Sequence, residues 1–348
     1  MRFYVGTYTR QGGPGICEVR WIEGHATVRV VADTPDPSFL ALHPAGHAVY
    51  AVNEQPEGAV SAFRVDSETG DLRLLGAATT GGGAPCHLAV HPSGKWLAVA
   101  NYRGASVAIF AIREDGSLGP RTDLTAHRGH GVHPERQRQP HPHGVYWHDQ
   151  GRQLWVPDLG TDSIVLHSFD PGTGILASQR ARIALPAGCG PRHLALPPHG
   201  TLAYCLNELD STLVALSAEV TDGTWHPQAP QSTLPAGFSG RSAAAEIVLH
   251  PGGRWLFCSN RGDDSLAVFD LAENPAKPRL AGHIPCGGRT PRHFALTADG
   301  RGFVIANQES NIVTLFRAKT EDPLGYAVAA MIPVRAPSCV LMTGIPTG

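Results

Sequence analysis

The sequence lacks any marked excess of charge of one sign. Its 28 basic residues stand against 30 acidic ones, so the net charge is −2, and no run of like charge stands out. Proteins that bind nucleic acid carry a basic surface that neutralises phosphates. The composition therefore argues against nucleic acid as a partner.

Long hydrophobic runs are missing as well. No apolar stretch approaches the length of a membrane span, and the chain begins without a charged-then-apolar leader. These absences argue against a membrane-embedded protein and lead us to expect a cytoplasmic one. The 40 glycines and 29 prolines, with only 17% charged residues, suit many turns around a large buried β core.

The cysteines lack the paired C-x-x-C spacing that metal sites and redox motifs use. The seven residues are Cys17, Cys86, Cys189, Cys205, Cys258, Cys286 and Cys339. Most fall in or beside apolar segments, where free cysteine behaves as a small hydrophobic side chain. We expect reduced thiols, and the sequence predicts no metal and no other cofactor.

What the sequence does contain is a block that recurs at intervals of roughly 50 residues. The blocks start at Pro37, Pro85, Pro142, Pro191, Ala244 and Pro291. Each holds a small-apolar stretch, a turn of the His-Pro-x-Gly kind, an apolar run ending near Asn and a Ser-led apolar run. This order predicts three strands and two turns per unit. A fixed period of short strands is typical of a propeller, because a lone twisted sheet must stack against copies of itself.

The two ends of the chain supply the halves of a seventh unit. Met1 to Tyr8 aligns with the second strand of the unit, and residues 337–341 align with the first. The predicted fold is an all-β, seven-bladed β-propeller with four-stranded antiparallel blades, closed by a blade shared between the N- and C-terminal strands. Closure removes exposed sheet edges. Because the repeat spans the chain, we predict a single domain over residues 1–348.

The repeat also predicts where polar side chains collect. The first and second strands of a blade are antiparallel, so the start of one and the end of the other lie on the same face. The first strand lines the central channel. The strand-one starts supply Cys86, His87, His143, Arg192, His193, Glu246, Arg292 and His293. The strand-two ends supply Glu54, Asn101, Tyr102, Asp158, Glu208, Asn260, Arg261, Asn307 and Gln308.

Two kinds of residue occupy the strand-one starts and the strand-two ends. The repeated Asn at strand-two ends is interpreted as a turn residue that bonds its own backbone. The repeated His after Pro either bridges neighbouring blades or serves a site. Residues specific to one blade favour function, because charges at a channel mouth need compensation. These are His143, Arg192, Glu208, Glu246, Arg261 and Arg292.

An insertion between the second and third blades, residues 126–143, is rich in histidine. Such a run invites a zinc hypothesis, but its spacings match no ligand pattern and no cysteine assists. We favour a loop that folds over the channel mouth and lends His143, with Arg136, to the site.

These segments resemble the seven-bladed lactonase propellers, a family that includes propeller-type 6-phosphogluconolactonases and carboxy-cis,cis-muconate cyclases. The most specific pieces are residues 135–143, 156–162, 190–193 with 207–209, and 244–246 with 259–262. The resemblance covers essentially the whole chain. It implies that His143, Arg192, Glu208 and Arg261 are catalytic. The fifth unit departs from the repeat, because Ala244 replaces its leading proline.

The leading hypothesis is metal-independent hydrolysis of a sugar lactone, expected to be 6-phosphogluconolactone of the pentose phosphate pathway. This reaction needs a general base for water, donors for an oxyanion and a clamp for phosphate. Glu208 or His143 is the candidate base, with Glu246 also left open, and Arg192 and Arg261 are the expected oxyanion donors. The candidate substrate-binding residues are Arg136, Asp158, His193, Glu246, Arg292 and His293.

Three alternatives remain open at this stage. The same residues could serve a lactonising cyclase of the carboxymuconate type. The propeller could be a binding module without catalysis. It could also be a metal-dependent gluconolactonase, with Asp158 and Glu208 as ligands. The expected partner is a small-molecule lactone, and no obligate protein partner is evident.

Overall fold

A computed structural model describes residues 1–22, 24–197, 200–219, 221, 223–320 and 322–343, with backbone alone at 178–180. Pro198 and His199 of the repeat lie outside the described residues, as do the last five residues of the predicted domain. Within the described part of the chain, no helix is long and apolar enough to cross a membrane.

The regular secondary structure of the described chain consists almost entirely of β-strands. In chain order they are β1 Arg2–Thr7, β2 Ile16–Ile22, β3 His25–Ala32, β4 Leu40–Leu42, β5 Ala48–Asn53, β6 Ala59–Val65, β7 Leu72–Thr79, β8 Pro85–Val90, β9 Trp96–Asn101, β10 Ser106–Ile112, β11 Leu118–Ala126, β12 Tyr146–His148, β13 Gln153–Asp158, β14 Ser163–Asp170, β15 Ile175–Ala184, β16 Pro191–Ala195, β17 Leu202–Asn207, β18 Thr212–Ala218, β19 Trp225–Pro227, β20 Gln231–Ser232, β21 Ala243–Leu249, β22 Trp255–Arg261, β23 Ser265–Asp270, β24 Arg279–Pro285, β25 Pro291–Leu296, β26 Gly302–Asn307, β27 Ile312–Ala318, β28 Tyr326–Pro333 and β29 Pro337–Met342. Single-turn 3-10 helices span Thr9–Gln11, Asp149–Gly151 and Leu159–Thr161.

The strands form seven antiparallel sheets, which we number as blades. Blade 1 is β4–β7, blade 2 is β8–β11, blade 3 is β12–β15, blade 4 is β16–β20, blade 5 is β21–β24 and blade 6 is β25–β28. In blade 4 the fourth strand is split, since both β19 and β20 pair with β18. The predicted seven-bladed propeller is confirmed.

Blade 7 joins the two ends of the chain, as predicted, in the order β29-β1-β2-β3. Val5 of β1 lies opposite Val340 on one side and Cys17 on the other. The buried carboxylate of Glu18 pairs with Arg2 at 2.9 Å and with Arg29 at 2.7 Å. Arg2 also donates to backbone carbonyls of the β6–β7 turn, so this ion pair ties blade 7 to blade 1.

The core lies between blades, and burial is greatest in the second strand of a blade and least in the fourth. The second strand of a blade is sandwiched between two neighbouring sheets, and all six residues of β5 are buried. The fourth strand lies at the outside, where six of the eight residues of β3 are exposed. The seven cysteines all belong to the described part, and they are buried and unpaired.

The His-Pro-x-Gly turns close the blades at the face opposite the site. The His43 and His91 imidazoles accept the backbone N–H two residues later, at 3.1 and 3.0 Å. Gly46 and Gly94 follow with φ of 75° and 74°, a region that favours glycine. These residues therefore serve turn chemistry, as their repetition predicted.

A β-bulge at the start of the first strand positions the site. In blades 2, 4 and 6 the register shifts between Pro85 and His87, Pro191 and His193, and Pro291 and His293. A bulge leaves one residue unpaired and re-aims its side chain. The residues between each Pro and His, namely Cys86, Arg192 and Arg292, are thereby turned out of the ladder.

Candidate active site

Equivalent backbone hydrogen bonds place one residue of each blade at the same point of the channel mouth. The amide of Glu208 donates to Gly190 O at 2.7 Å, and that of Tyr102 donates to Ala84 O at 3.0 Å. Matching bonds or register place Tyr8, Glu54, Leu159, Arg261 and Gln308 in the same ring. The backbone pairs in the same way at this position in every blade, but the side chains differ. The requirements of the turn therefore do not explain the choice of side chain.

Glu208 is the centre of the largest charge cluster in this ring. Its Oε1 accepts from Arg136 at 2.6 Å, and its Oε2 accepts from Arg192 at 3.0 Å. Arg261 Nη2 lies 2.9 Å from the same Oε2. His143 Nε2 lies 3.7 Å from Oε2, beyond hydrogen-bond distance. The structure thus brings together the four residues that the family resemblance implied, with Arg136 as a fifth.

Their surroundings give Glu208 and His143 different charge states. Burial alone would raise the pKa of Glu208, but Arg261, His143, Arg192 and Arg136 hold it well below the usual range. Burial, reinforced by Arg192, lowers the pKa of His143 well below 6.5. At neutral pH the site therefore presents an anionic Glu208 beside a neutral imidazole.

A second group of charges lies in blades 1, 6 and 7. Tyr8 donates to Glu54 Oε2 at 2.8 Å, and Arg10 reaches Glu54 Oε1 at 3.0 Å. Arg292 lies over the Tyr8 ring, 5.1 Å from its centroid, and 3.9 Å from Glu54 Oε2. Its side chain is 17% exposed, against 3% for Arg192. Arg292 is therefore near a carboxylate without a close hydrogen bond to it.

Imidazoles fill the channel beneath the mouth. We refer to His87, His143, His193 and His293 as the channel histidines. Burial lowers the pKa of each of them, so they are neutral at pH 7. Glu246 lies among them, 3.0 Å from His193 Nδ1 and 3.3 Å from His293 Nε2. Burial raises the pKa of Glu246, the opposite direction to Glu208.

Asp158 does not join the mouth, and its predicted role in substrate binding is corrected. The side chain is fully buried, and Oδ2 lies 2.7 Å from His127 Nδ1. Oδ1 accepts the backbone N–H of His141 at 2.7 Å and of Gly160 at 3.1 Å. Both oxygens are thus used inside the fold, where they anchor the histidine-rich insertion.

The rest of the insertion is held by similar internal bonds. Gln137 is buried and donates to Asp162 Oδ1 at 2.6 Å, next to the Arg136 that reaches Glu208. His141 stacks on Tyr102, and its Nδ1 lies 2.8 Å from the Tyr102 carbonyl oxygen. Across the described residues, no group of three His, Cys, Asp or Glu side chains is arranged to hold a metal ion.

The repeated asparagines serve the fold, although their partners differ from those expected. Asn101, Asn207 and Asn307 donate to hydroxyls of the third strand at 3.1, 2.9 and 3.0 Å. They therefore lock strand to strand rather than bonding their own backbone. Two mouth residues were missed, Tyr8 and Arg10. Tyr8 directly follows the second strand of blade 7, the position that Glu208 holds in blade 4, so its place in the repeat was a signal for it.

This geometry defines the class of protein. A buried carboxylate held by guanidiniums beside neutral imidazoles, at the open mouth of a propeller, can move a proton and stabilise an oxyanion, so the fold and site are those of an enzyme. The profile of the family described as Lactonase, 7-bladed beta-propeller matches residues 2–342. The chain belongs to this family of lactone-hydrolysing enzymes.

Named relatives span nearly the whole chain. The 6-phosphogluconolactonase of Bacillus subtilis is 29% identical over 97% of both chains. That of Formosa agariphila is 31% identical, over 91% of this chain and 92% of its own. The structure of the periplasmic gluconolactonase of Pseudomonas aeruginosa superimposes with a TM-score of 0.90 at 29% identity, covering 99% of this chain and 100% of that one. The relatives thus include a periplasmic enzyme, so a cytoplasmic location stays a prediction.

Proposed function

We propose that the protein hydrolyses 6-phosphogluconolactone to 6-phosphogluconate without a metal ion. The observation that carries this proposal is the Glu208 cluster, in which an anionic carboxylate orients three guanidiniums beside a neutral His143. A lactone is already an electrophilic ester. Its hydrolysis therefore needs a proton acceptor and fixed positive charge more than a Lewis acid.

His143 is the best placed of the three candidate bases. Glu208 directs both oxygens to guanidiniums, so neither oxygen is free to take a proton from water. Glu246 accepts from His193, His293 and the Ile247 amide, so its oxygens are also occupied. The Nε2 of His143, in contrast, lies 3.7 Å from Glu208 Oε2, beyond hydrogen-bond distance, and makes no hydrogen bond to the described residues. It can therefore accept a proton from the water that attacks the lactone.

The reaction then proceeds in two balanced steps. Water adds to the lactone carbonyl carbon as its proton passes to His143 Nε2, giving a tetrahedral oxyanion. The bond between this carbon and the ring oxygen then breaks, and the protonated His143 returns its proton to the leaving oxygen. The immediate products are a hydroxyl group and a carboxylic acid, and the imidazole is neutral again. The acid then loses the second proton of the water to solvent and becomes the carboxylate.

Arg261 and Arg136 are the donors best placed to meet the oxyanion. Their side chains are 17% and 40% exposed at the mouth, whereas Arg192 is 3% exposed. Arg261 is also held by the carbonyls of Ala243 and Ala244, at 3.1 and 3.2 Å. Arg192 supports the cluster from below. Losing one oxyanion donor costs roughly a hundredfold in turnover or more.

Arg292 supports the choice of a phosphorylated substrate. The guanidiniums of Arg136, Arg192 and Arg261 each form a close ion pair with Glu208, while Arg292 approaches Glu54 only to 3.9 Å. A guanidinium that keeps its charge and lacks a bidentate partner suits a phosphate. We therefore assign Arg292 to the phosphate group.

The test compares 6-phosphogluconolactone with gluconolactone in chelator-treated enzyme, above the spontaneous rate. Arg292→Gln is expected to lower kcat/KM for the phosphorylated ring by about 10- to 100-fold, as for one lost charge-assisted bond, and to leave the other substrate within about threefold. Arg73→Gln, which removes an exposed charge on β7, is the matched control.

Each component of the proposal can fail separately. An equal loss on both substrates in Arg292→Gln would remove the phosphate assignment. His143→Gln with kcat within about threefold of wild type would remove His143 as the base. Activity on carboxymuconates alone would select the cyclase alternative, and loss of activity on chelation would select a metal-dependent lactonase.

A further inference from the structure

The channel histidines of blades 2, 4 and 6 occupy one repeated position, two residues after the leading proline. These are His87, His193 and His293. In two of the three blades the imidazole makes the same contact with the next blade. His87 Nδ1 accepts the Val145 amide at 3.3 Å, and His293 Nδ1 accepts the Val340 amide at 3.2 Å. A backbone N–H can only donate, so in both rings Nδ1 is unprotonated and Nε2 carries the proton.

Blade 5 changes this contact for His193. The amide equivalent to Val145 and Val340 belongs to Ile247, and it donates instead to Glu246 Oε1 at 3.0 Å. The facing residue in the other two cases is Gly144 or Cys339, which is too small to intervene. Glu246 therefore takes the amide away from His193 and puts a carboxylate against its Nδ1, 3.0 Å from both oxygens.

A carboxylate requires a donor, so the proton of His193 moves to Nδ1. His293 meets the same carboxylate with Nε2 at 3.3 Å, the atom that already carries its proton. In His193 the lone pair is then left on Nε2. The Nη1 of Arg192 lies 3.2 Å from this Nε2 and 3.3 Å from Nδ1, and of the two nitrogens only Nε2 can accept its hydrogen.

We propose that Glu246 is a positioning residue that sets the tautomer of His193 and thereby holds Arg192 on Glu208. The chain of bonds runs from Glu246 to His193 Nδ1, from His193 Nε2 to Arg192 Nη1, and from Arg192 Nε to Glu208 Oε2 at 3.0 Å. Arg192 Nη1 is fixed further by the Ala245 carbonyl.

The tripeptide Pro-Arg-His occurs in blades 4 and 6, but its histidine makes different hydrogen bonds in the two blades. In blade 4 the histidine accepts from the arginine beside it, and Arg192 is buried and fixed. In blade 6 the His293 Nε2–H is directed to Glu246, so that ring offers Arg292 no acceptor, and Arg292 stays 17% exposed. One glutamate in blade 5 therefore separates a fixed guanidinium from one that is open to a ligand.

The direct test is the tautomer of each ring, read by two-bond ¹H–¹⁵N correlation NMR on the ¹⁵N-histidine-labelled full chain. His193→Gln and His87→Gln variants assign the signals. We expect Nδ1–H for His193 and Nε2–H for His87 and His293. Nε2–H at His193 in the wild-type protein would overturn the proposal, whatever reaction the enzyme catalyses.

Glu246→Ala supplies the second test, because it recreates the small residue found in the other blades. His193 is expected to switch to Nε2–H and accept the Ile247 amide, so the bond to Arg192 is lost. The kinetic part rests on the proposed lactonase. There kcat should fall about 10- to 100-fold while KM stays within about threefold.

Glu246→Gln is the conservative comparison, since its carbonyl oxygen can still accept from His193 Nδ1–H. It should keep the wild-type tautomer and more activity than Glu246→Ala. A folded Glu246→Ala protein that retains Nδ1–H, or that switches tautomer without loss of kcat, would overturn the positioning role. If no lactone is turned over by the wild type, the proposed function fails while the tautomer result still stands.

Discussion

Glu208→Gln should destabilise the protein as well as inactivate it. The carboxylate neutralises guanidiniums of which Arg192 and Arg261 are 3% and 17% exposed. Removing one partner of a buried ion pair costs about 3–5 kcal/mol, because the remaining charge stays buried without compensation. Arg136 is 40% exposed, so solvent screens it and its share is small. We take about 3 kcal/mol as the expected loss.

This loss converts into a measurable change in Tm. Unfolding entropy of about 2.1 cal/mol/K per residue over 348 residues gives ~0.7 kcal/mol/K, so the expected fall is ~4 °C. Differential scanning fluorimetry would measure it, with Arg136→Gln as a control expected to shift Tm by no more than about 1.5 °C. Added phosphate should raise the Tm of Glu208→Gln more than that of the wild type. A variant as stable as the wild type would refute the reasoning that Glu208 compensates buried charge.

Three further predictions follow from the same charges. Because the channel histidines have lowered pKa values, the unfolded chain binds more protons than the folded chain as the pH falls towards 5.5. Chemical denaturation should show stability falling from pH 6.5 to 5.5 by up to about 4 kcal/mol, about 1 kcal/mol for each of the four histidines that stays neutral in the folded state, and by less if Glu246, whose pKa is raised, gains a proton. A flat profile would contradict this. Glu18→Ala should lower the free energy of unfolding by about 3 kcal/mol, because Arg2 is left buried without its carboxylate partner. The kcat should stay within about twofold of wild type, since this ion pair lies away from the channel mouth. A larger change in kcat would argue against this. A chelator should leave the lactonase rate unchanged, and reactivation by a divalent cation would contradict the proposed mechanism.

The fold could be predicted from the sequence because the same residue types recur at equivalent positions of the blades. The leading proline, the turn glycine and the terminal asparagine recur with the blade, and each has a local physical role. The same repeat located the mouth, since antiparallel strands must return to the face where they began. Such inferences need only the order of strands.

Alignment of Asp158 to the repeat would have predicted its structural role, which was missed. Its backbone pairs with Ser163 and bridges to Pro142, as Asn101 pairs with Ser106 and Pro85. Asp158 therefore holds the structural asparagine position of blade 3, and the next residue, Leu159, holds the mouth position. The sequence contained this answer, but an acidic residue at a strand end was interpreted by its charge instead.

The bonds that connect the blades could not be predicted in this way. The hydrogen-bonding state of His193 depends on Glu246, which is 53 residues away in sequence and lies on the next blade. Likewise, Arg136 meets Glu208 across a separation of 72 residues. Repeats specify the distance between backbones, whereas side chains that differ from blade to blade decide which contacts form.

Two carboxylates in adjacent blades show how such contacts divide the chemistry of the site. Glu208 and Glu246 are both buried, and burial alone would raise both pKa values. Glu208 meets guanidiniums, which cannot lose their charge, and it remains an anion. Glu246 meets imidazoles, which burial keeps neutral, and its pKa stays raised. Opposite shifts in neighbouring acids mark different roles. In the proposed mechanism, Glu208 fixes positive charge around the reacting ester, while Glu246 fixes the direction of hydrogen bonds beneath it.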